Sequence, residues 1–171
     1  MNITTKIIIT DTNVISDLSN AKVLDKFVNL NNVYMSDMVK HDEINSSSGD
    51  VKVINKFKTI KASAQQIIEM YSIVQKQKPL SKYDSINYIL ARDNNAILAT
   101  GDRKLREFSE SNGITVIRTL GIIEFMESNG IISTNEAINA CNSLKNEKST
   151  RIPHSDIDNL ITKLKKNLVS C

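Results

Sequence analysis

Two aliphatic runs in this 171-residue chain each lead to an aspartate. Lys6–Thr10 (KIIIT) runs into Asp11, and Ala96–Thr100 (AILAT) runs through Gly101 into Asp102. An Asp placed directly after a buried strand stands at the lip of a sheet, and two from different strands can converge there. Two further acids accompany them. Asp84 falls in the first turn of a helix that leads into the second run, and Glu43 lies on a helix that follows another short strand. Four carboxylates brought together repel and raise one another's pKa. A hard divalent cation removes that penalty. Mg²⁺ and Mn²⁺ prefer oxygen ligands and keep several waters, so such a site can also accept a phosphate. The cation would stabilise a phosphodiester transition state and acidify a bound water. With His41 and His154 the only histidines, no Ser–His–Asp arrangement is evident, and Cys141 and Cys171 offer no zinc-binding spacing.

Each acid also has a purely local role open to it. Asp11 can cap the following helix, Asp84 can be the acidic end of a capping box begun by Ser81, and Asp102 can be a turn residue. Glu43, next to Asp42 on a polar helix, can be solvated. The order and context of the four together carry the metal-site reading.

The elements that must position them follow from hydrophobic periodicity and punctuation. Lys6–Thr10 reads as a buried strand. Asn13 to about Leu30 reads as one helix, with Val14, Leu18, Val23, Leu24, Phe27 and Val28 inward. Val33–Met35 is a second strand, and Ser36 is placed to cap a helix over Asp37–Ile44. Asn45–Asp50 (NSSSGD) is a loop, Val51–Lys58 is ambiguous, and Thr59–Lys61 reads as a short strand. Ser63–Gln77 is a helix with an Ile67, Ile68, Tyr71, Val74 stripe. A capping-box start at Ser81 opens a helix to about Asp93, ended by Asn94-Asn95 and followed by the strand Ala96–Thr100. A helix to Asn112 with Gly113 behind it, a strand at Ile114–Ile117, and helices at Leu120–Ser128, Thr134–Asn146 and Ser155–Leu168 complete the chain. Strands alternating with helices imply a parallel sheet covered on both faces, with ligands bound beyond the carboxyl ends of its strands.

Composition agrees. Apolar residues make up 40% and aromatics 5%, with no Trp, so the core is aliphatic, as buried parallel strands require. The length suits one compact unit with a small C-terminal appendage. A formal charge of +3 is too small to diagnose nucleic-acid binding, and it resides in the tail, with six Lys/Arg against three Asp/Glu from Lys145 onward. The cysteine usage suits a reducing cytoplasm. No apolar run reaches transmembrane length, and no signal-peptide pattern precedes the first strand, so no membrane role is expected.

The motifs taken together resemble the PIN-domain nucleases. The family opens with a hydrophobic strand running into Asp, often as Asp-Thr-Asn, here IIITDTNV with Asp11. Its second acid is a Glu on a helix after a Ser, and SDMVKHDEI offers Glu43 with Asp42 as rival. The third precedes an Ala-containing helix, here Asp84 in YDSINYILA. The fourth follows a Thr at a strand end, where LATGDRKLREF supplies Thr100 and Asp102. GITVIRTLGIIEFMESNGII is similar to the branch with a Thr-Leu-Gly turn before a helix. The resemblance spans roughly residues 5–165. It implies a three-layer α/β/α sandwich with a central parallel β-sheet and C-terminal helices. On this reading residues 1–146 form the PIN-like nuclease domain and 147–171 a helical extension packed on it. It also implies Mg²⁺- or Mn²⁺-dependent cleavage of RNA, frequent homodimers and, in the VapC-like branch, a toxin held by an antitoxin protein. Thr12, Asn13 and Thr100 would orient the carboxylates or a metal-bound water, and Arg103, Lys104 and Arg106 would meet RNA phosphate.

Other functions fit less well. An Asp-based phosphohydrolase usually carries a second Asp two residues after the first, where this chain has Asn13. No Gly-rich turn follows the first strand, which excludes a dinucleotide-binding unit. A non-catalytic RNA-binding or antitoxin-binding scaffold remains open.

Overall fold

A computed structural model describes residues 6–46, 51–77 and 80–169, with side chains at all of these except 43–46, 51–52 and 168–169. The strands β1 (Ile8–Thr10), β2 (Val33–Ser36), β3 (Lys58–Ile60), β4 (Ile97–Ala99) and β5 (Val116–Ile117) form one sheet in the order β3-β2-β1-β4-β5. Every pairing is parallel. β1 and β4 are buried throughout, so the central strands are aliphatic on both faces, which is what two helical layers demand.

The helices are α1 (Thr12–Asn20), α2 (Leu24–Val28), α3 (Asp37–Ser46), α4 (Val51–Ile54), α5 (Ala64–Lys76), α6 (Lys82–Asp93), α7 (Arg103–Ser111), α8 (Thr119–Ser128), α9 (Thr134–Asn146) and α10 (His154–Val169). α6 packs on β1, β2 and β4, between α5 and α7. α1, α8, α9 and α10 form a second packed group, with α10 lying mainly on α9. The helices thus flank the sheet as an α/β/α arrangement. Among the described residues, no helix is long and apolar enough to cross a membrane.

The single helix expected over 13–30 is two. Lys22 adopts a left-handed backbone (φ 60), and the amides of Ala21, Lys22 and Val23 close onto the carbonyls of Asp17, Ser19 and Leu18. A helix terminus of this kind normally announces itself with Gly or Asn. Here a Lys occupies the position, so the break was invisible. Ser36 does not cap α3. It belongs to β2, its hydroxyl is buried without a partner, and Asp37 itself accepts the Met38 amide at 2.9 Å. Of the loop expected at 45–50, Asn45 and Ser46 belong to α3, and residues 47–50 lie outside those described.

The α5 stripe is also rotated from expectation. Met70 is its fully buried residue, Ile67 and Ile73 pack beside it, and Ile68 and Tyr71 are 64% and 58% exposed. Polar contacts with α6 accompany this orientation. Arg92 binds Glu69 through two nitrogens, and Gln66 donates to Asp93 at 2.8 Å. The face carrying Gln66, Glu69 and Met70 is therefore the one turned toward α6.

Candidate active site

The site is built on the register of the three central strands. Thr10 lies opposite Ala99, and Ile9 opposite Tyr34. Continuing those pairings sets Asp11 level with Thr100 of the β4 strand end and with Ser36 of β2. In a parallel sheet, residues at one level point to the same face, so Thr100 and Ser36 share the face of Asp11, one on each neighbouring strand, and Thr100 is the one that bonds it.

Asp11 is 6% exposed. Its backbone still belongs to the sheet, with its amide donating to the Ala99 carbonyl at 2.9 Å. Its Oδ1 accepts the Thr12 amide at 2.8 Å, and its Oδ2 accepts the Asn13 side-chain amide at 2.7 Å and the Thr100 hydroxyl at 2.9 Å. The local and the chemical readings of Asp11 therefore coexist, since it is also the N-cap of α1. Burial pushes its carboxyl up to about 6, and the charges of Asp84 and Asp102 add to the rise. The Thr100 hydroxyl and Thr12 amide oppose it without overcoming it.

Thr100 is the joint between two acids. A hydroxyl has one proton to give and lone pairs to accept with. Thr100 gives its proton to Asp11 and accepts the Asp102 amide at 3.1 Å. Asn13 makes a second joint, donating to Asp11 while its Oδ1 accepts the Gly101 amide at 2.8 Å. A Cβ on Gly101 would lie 3.3 Å from that same oxygen, so glycine permits the close approach. Asp102 caps α7, its Oδ1 accepting the Leu105 amide at 2.9 Å.

The opposite wall comes from helix ends. Asp84 stands in the first turn of α6 in a complete capping box. Its Oδ2 accepts the Ser81 amide at 2.8 Å, and the Ser81 hydroxyl accepts the Asp84 amide at 3.1 Å. Glu43 lies on α3, and its side chain is outside those described. Its neighbour Asp42 accepts a hydrogen bond from the Tyr83 hydroxyl, with Lys82 at 3.6 Å and His41 at 3.2 Å. The Tyr83 bond, then His41, holds the Asp42 carboxyl below the usual range. Asp42 therefore ties α3 to the start of α6, a role that sequence reasoning missed because its partner lies far along the chain.

Among the described residues, no three His, Cys, Asp or Glu side chains stand together as a ready-made ligand group. Asp84 and Asp102 each commit one oxygen to a hydrogen bond at a helix start. The chemistry of the donor set nonetheless fits a hard divalent ion. It consists of carboxylate oxygens, one of them raised toward neutrality first by its burial and further by the charges of Asp84 and Asp102.

The predicted phosphate-contacting residues are placed unequally. Arg103 is exposed and donates to Glu107 at 2.7 Å, an i,i+4 pair along α7. Lys104 is exposed, and Arg106 is half-buried. Arg106 lines a cleft of about 340 Å³ with Val116, Arg118, Gly121 and Asp156, beside the edge strand β5. The Thr-Leu-Gly turn also finds its reason. The Thr119 hydroxyl donates to Asp17 of α1 at 2.7 Å, and a Cβ on Gly121 would meet Ile117 at 3.2 Å.

A family model, DUF3368, described as a PIN domain, matches residues 7–166. The chain belongs to the PIN-domain family. Among solved structures, the PIN domain is similar to PAE2754 from Pyrobaculum aerophilum, with a TM-score of 0.53 and 15% identity over 72% of this chain and 90% of that one. That likeness concerns the fold. No curated protein sequence matches the chain significantly.

Proposed function

We propose that this PIN domain is a metal-dependent endoribonuclease that cleaves RNA phosphodiester bonds, acting as the VapC-like toxin of a toxin–antitoxin pair and working as a homodimer in the cytoplasm. The observation that carries the reading is Asp11, a carboxylate buried at the carboxyl lip of a parallel sheet and within electrostatic reach of Asp84 and Asp102. Burying a carboxylate among others is costly unless a cation shares the site. Asp11, Glu43, Asp84 and Asp102 would hold Mg²⁺ or Mn²⁺. A bound ion of this kind supplies charge for the transition state and acidifies a water.

The chain's own residues do the positioning. Thr100 and Asn13 fix Oδ2 of Asp11 relative to the Asp102 turn, and the Thr12 amide at the start of α1 fixes its Oδ1. The Asp42–Tyr83 tie carries α3, and Glu43 with it, toward the first turn of α6. Arg103, Lys104 and Arg106 follow Asp102 on α7 and would contact phosphates of the same RNA strand.

The test is purified protein on total RNA with Mg²⁺, Mn²⁺ or EDTA, alongside Asp11→Asn. Metal-dependent cutting that Asp11→Asn loses supports the proposal. RNA binding without cutting would instead make the domain a scaffold, and turnover of phosphate monoesters would make it a phosphohydrolase. Growth arrest on induced expression, absent in Asp11→Asn, tests the toxin role, and light scattering tests the dimer.

A further inference from the structure

Ser36 and Asn87 are fully buried, yet the Ser36 hydroxyl and both polar atoms of the Asn87 amide lack a hydrogen-bond partner. Leaving buried polar atoms unpaired costs about 1–3 kcal/mol each, so such groups call for an explanation. Their placement supplies one. Ser36 ends β2 at the level of Asp11, the mirror of Thr100 on the other side. Asn87 lies three residues after Asp84 on α6, the spacing that puts two side chains on one helix face. α6 packs on β1, β2 and β4, whose ends carry Asp11, Ser36 and Thr100. Ile86, Ile89, Leu90 and Ala91 beside it on the helix are apolar, and the buried Ser85 is satisfied by donating to the Ser81 carbonyl at 2.9 Å, so Asn87 is the buried polar side chain of α6 left without a partner. The last orphan among the described side chains, Ser109, sits in the final turn of α7, away from the lip where that helix begins.

We propose that Ser36 and Asn87 are positioning residues of the carboxylate site, which hold a water of the hydrated divalent cation on its inward side. The proposal rests on the metal-dependent reading above. A primary amide both donates and accepts, and a hydroxyl does the same, so the two suit a water that must give protons to one neighbour and lone pairs to the ion. Mg²⁺ and Mn²⁺ retain such waters when bound by few carboxylates. Outer-sphere partners of this kind typically govern affinity by 10–100-fold.

The experiment is Mn²⁺ binding to the intact protein, read by the loss of the free-ion electron paramagnetic resonance signal, without turnover. Wild type, Ser36→Ala, Ser36→Thr, Asn87→Ala, Ser109→Ala and Asp11→Asn are compared, each with a melting curve in EDTA. Ser36→Ala and Asn87→Ala should each weaken Mn²⁺ binding on the order of 10–100-fold. Ser36→Thr should restore it, and Ser109→Ala should match wild type. Metal-free Ser36→Ala should melt no lower than wild type, because it removes an orphan rather than a bond. That variant keeps the test sound if Asn87→Ala fails to fold. Wild-type Mn²⁺ affinity in both Ser36→Ala and Asn87→Ala, with loss in Asp11→Asn, would overturn this inference alone. No Mn²⁺ binding by wild type would overturn the metal-dependent reading and this inference together.

Discussion

The two flanks of Asp11 are built differently. On the β4 side, Thr100 donates to Asp11 and receives the Asp102 amide, and Asn13 spans from Asp11 to Gly101. That wall is assembled by the protein alone. On the β2 side, the matching hydroxyl of Ser36 touches no partner, and the helices beyond are tied through contacts at Asp42, which is half exposed. One wall is complete in the protein's own hydrogen bonds and the other has unspent bonding capacity. On the proposed metal-dependent reading, the first wall keeps Asp11 rigid and the second supplies the contacts to a bound species.

The sharpest break of the comparison is loss of charge at the centre. Asp11→Asn should reduce RNA cleavage by on the order of 10²–10³-fold or more, the scale for removing one charge-stabilising group from an active site. Glu43→Gln should do the same, while Asp42→Asn keeps most activity, because Asp42 is engaged by Tyr83 and Lys82. Loss in Asp42→Asn with retention in Glu43→Gln would exchange their roles.

A pH series comes next in size. Burial raises the folded Asp11 carboxyl from the usual aspartate range, about 4, to about 6. A raised acid favours the folded state fully below about pH 4, and that contribution disappears as pH climbs through about 6. In EDTA, wild type should therefore lose about 3 kcal/mol relative to Asp11→Asn across this window. Mn²⁺, which favours the charged carboxylate and binds only the folded form, should abolish the loss. Denaturant melts at pH 4 and 7, with and without metal, measure it.

Thr100→Val and Ser36→Ala form a matched pair. The first removes a donor to Asp11 and an acceptor for the Asp102 amide, so it should cost about 1–3 kcal/mol and push the Asp11 midpoint higher. The second should cost nothing in EDTA. Equal costs would erase the distinction between the flanks. The smallest effect is expected at the outer tie, where Tyr83→Phe should shift the melting temperature and RNA cleavage only slightly, because its partner Asp42 faces solvent.

Much of this was legible in the sequence. The strand-then-Asp pattern located Asp11 and Asp102, the Ser81–Asp84 box appears as read, and α9 spans the expected residues. These depend on local chemistry, caps and aliphatic runs, that leaves a mark within a few residues. What was not legible depends on distant partners. The Asp42–Tyr83 tie joins residues from two helices, and the orientation of α5 goes with its polar contacts to Arg92 and Asp93 on α6. Ser36 was misread for a related reason. A Ser before a helix looks like a cap, and only the sheet register shows that β2 claims it first.

The double service of Asp84 and Asp102 leads further. Each helps to start a helix as well as contributing charge: Asp102 is the N-cap of α7, where Asn serves about as well as Asp, and Asp84 closes the α6 capping box, where an amide oxygen can accept the same bond. Folding therefore exerts little pull to keep these positions acidic. A single-base change in the gene, from an Asp to an Asn codon, would leave the scaffold standing and silence its chemistry. Descendants of such a chain could drift into inert, binding-only proteins without crossing any barrier in stability, and only selection on cleavage itself would hold the acids in place.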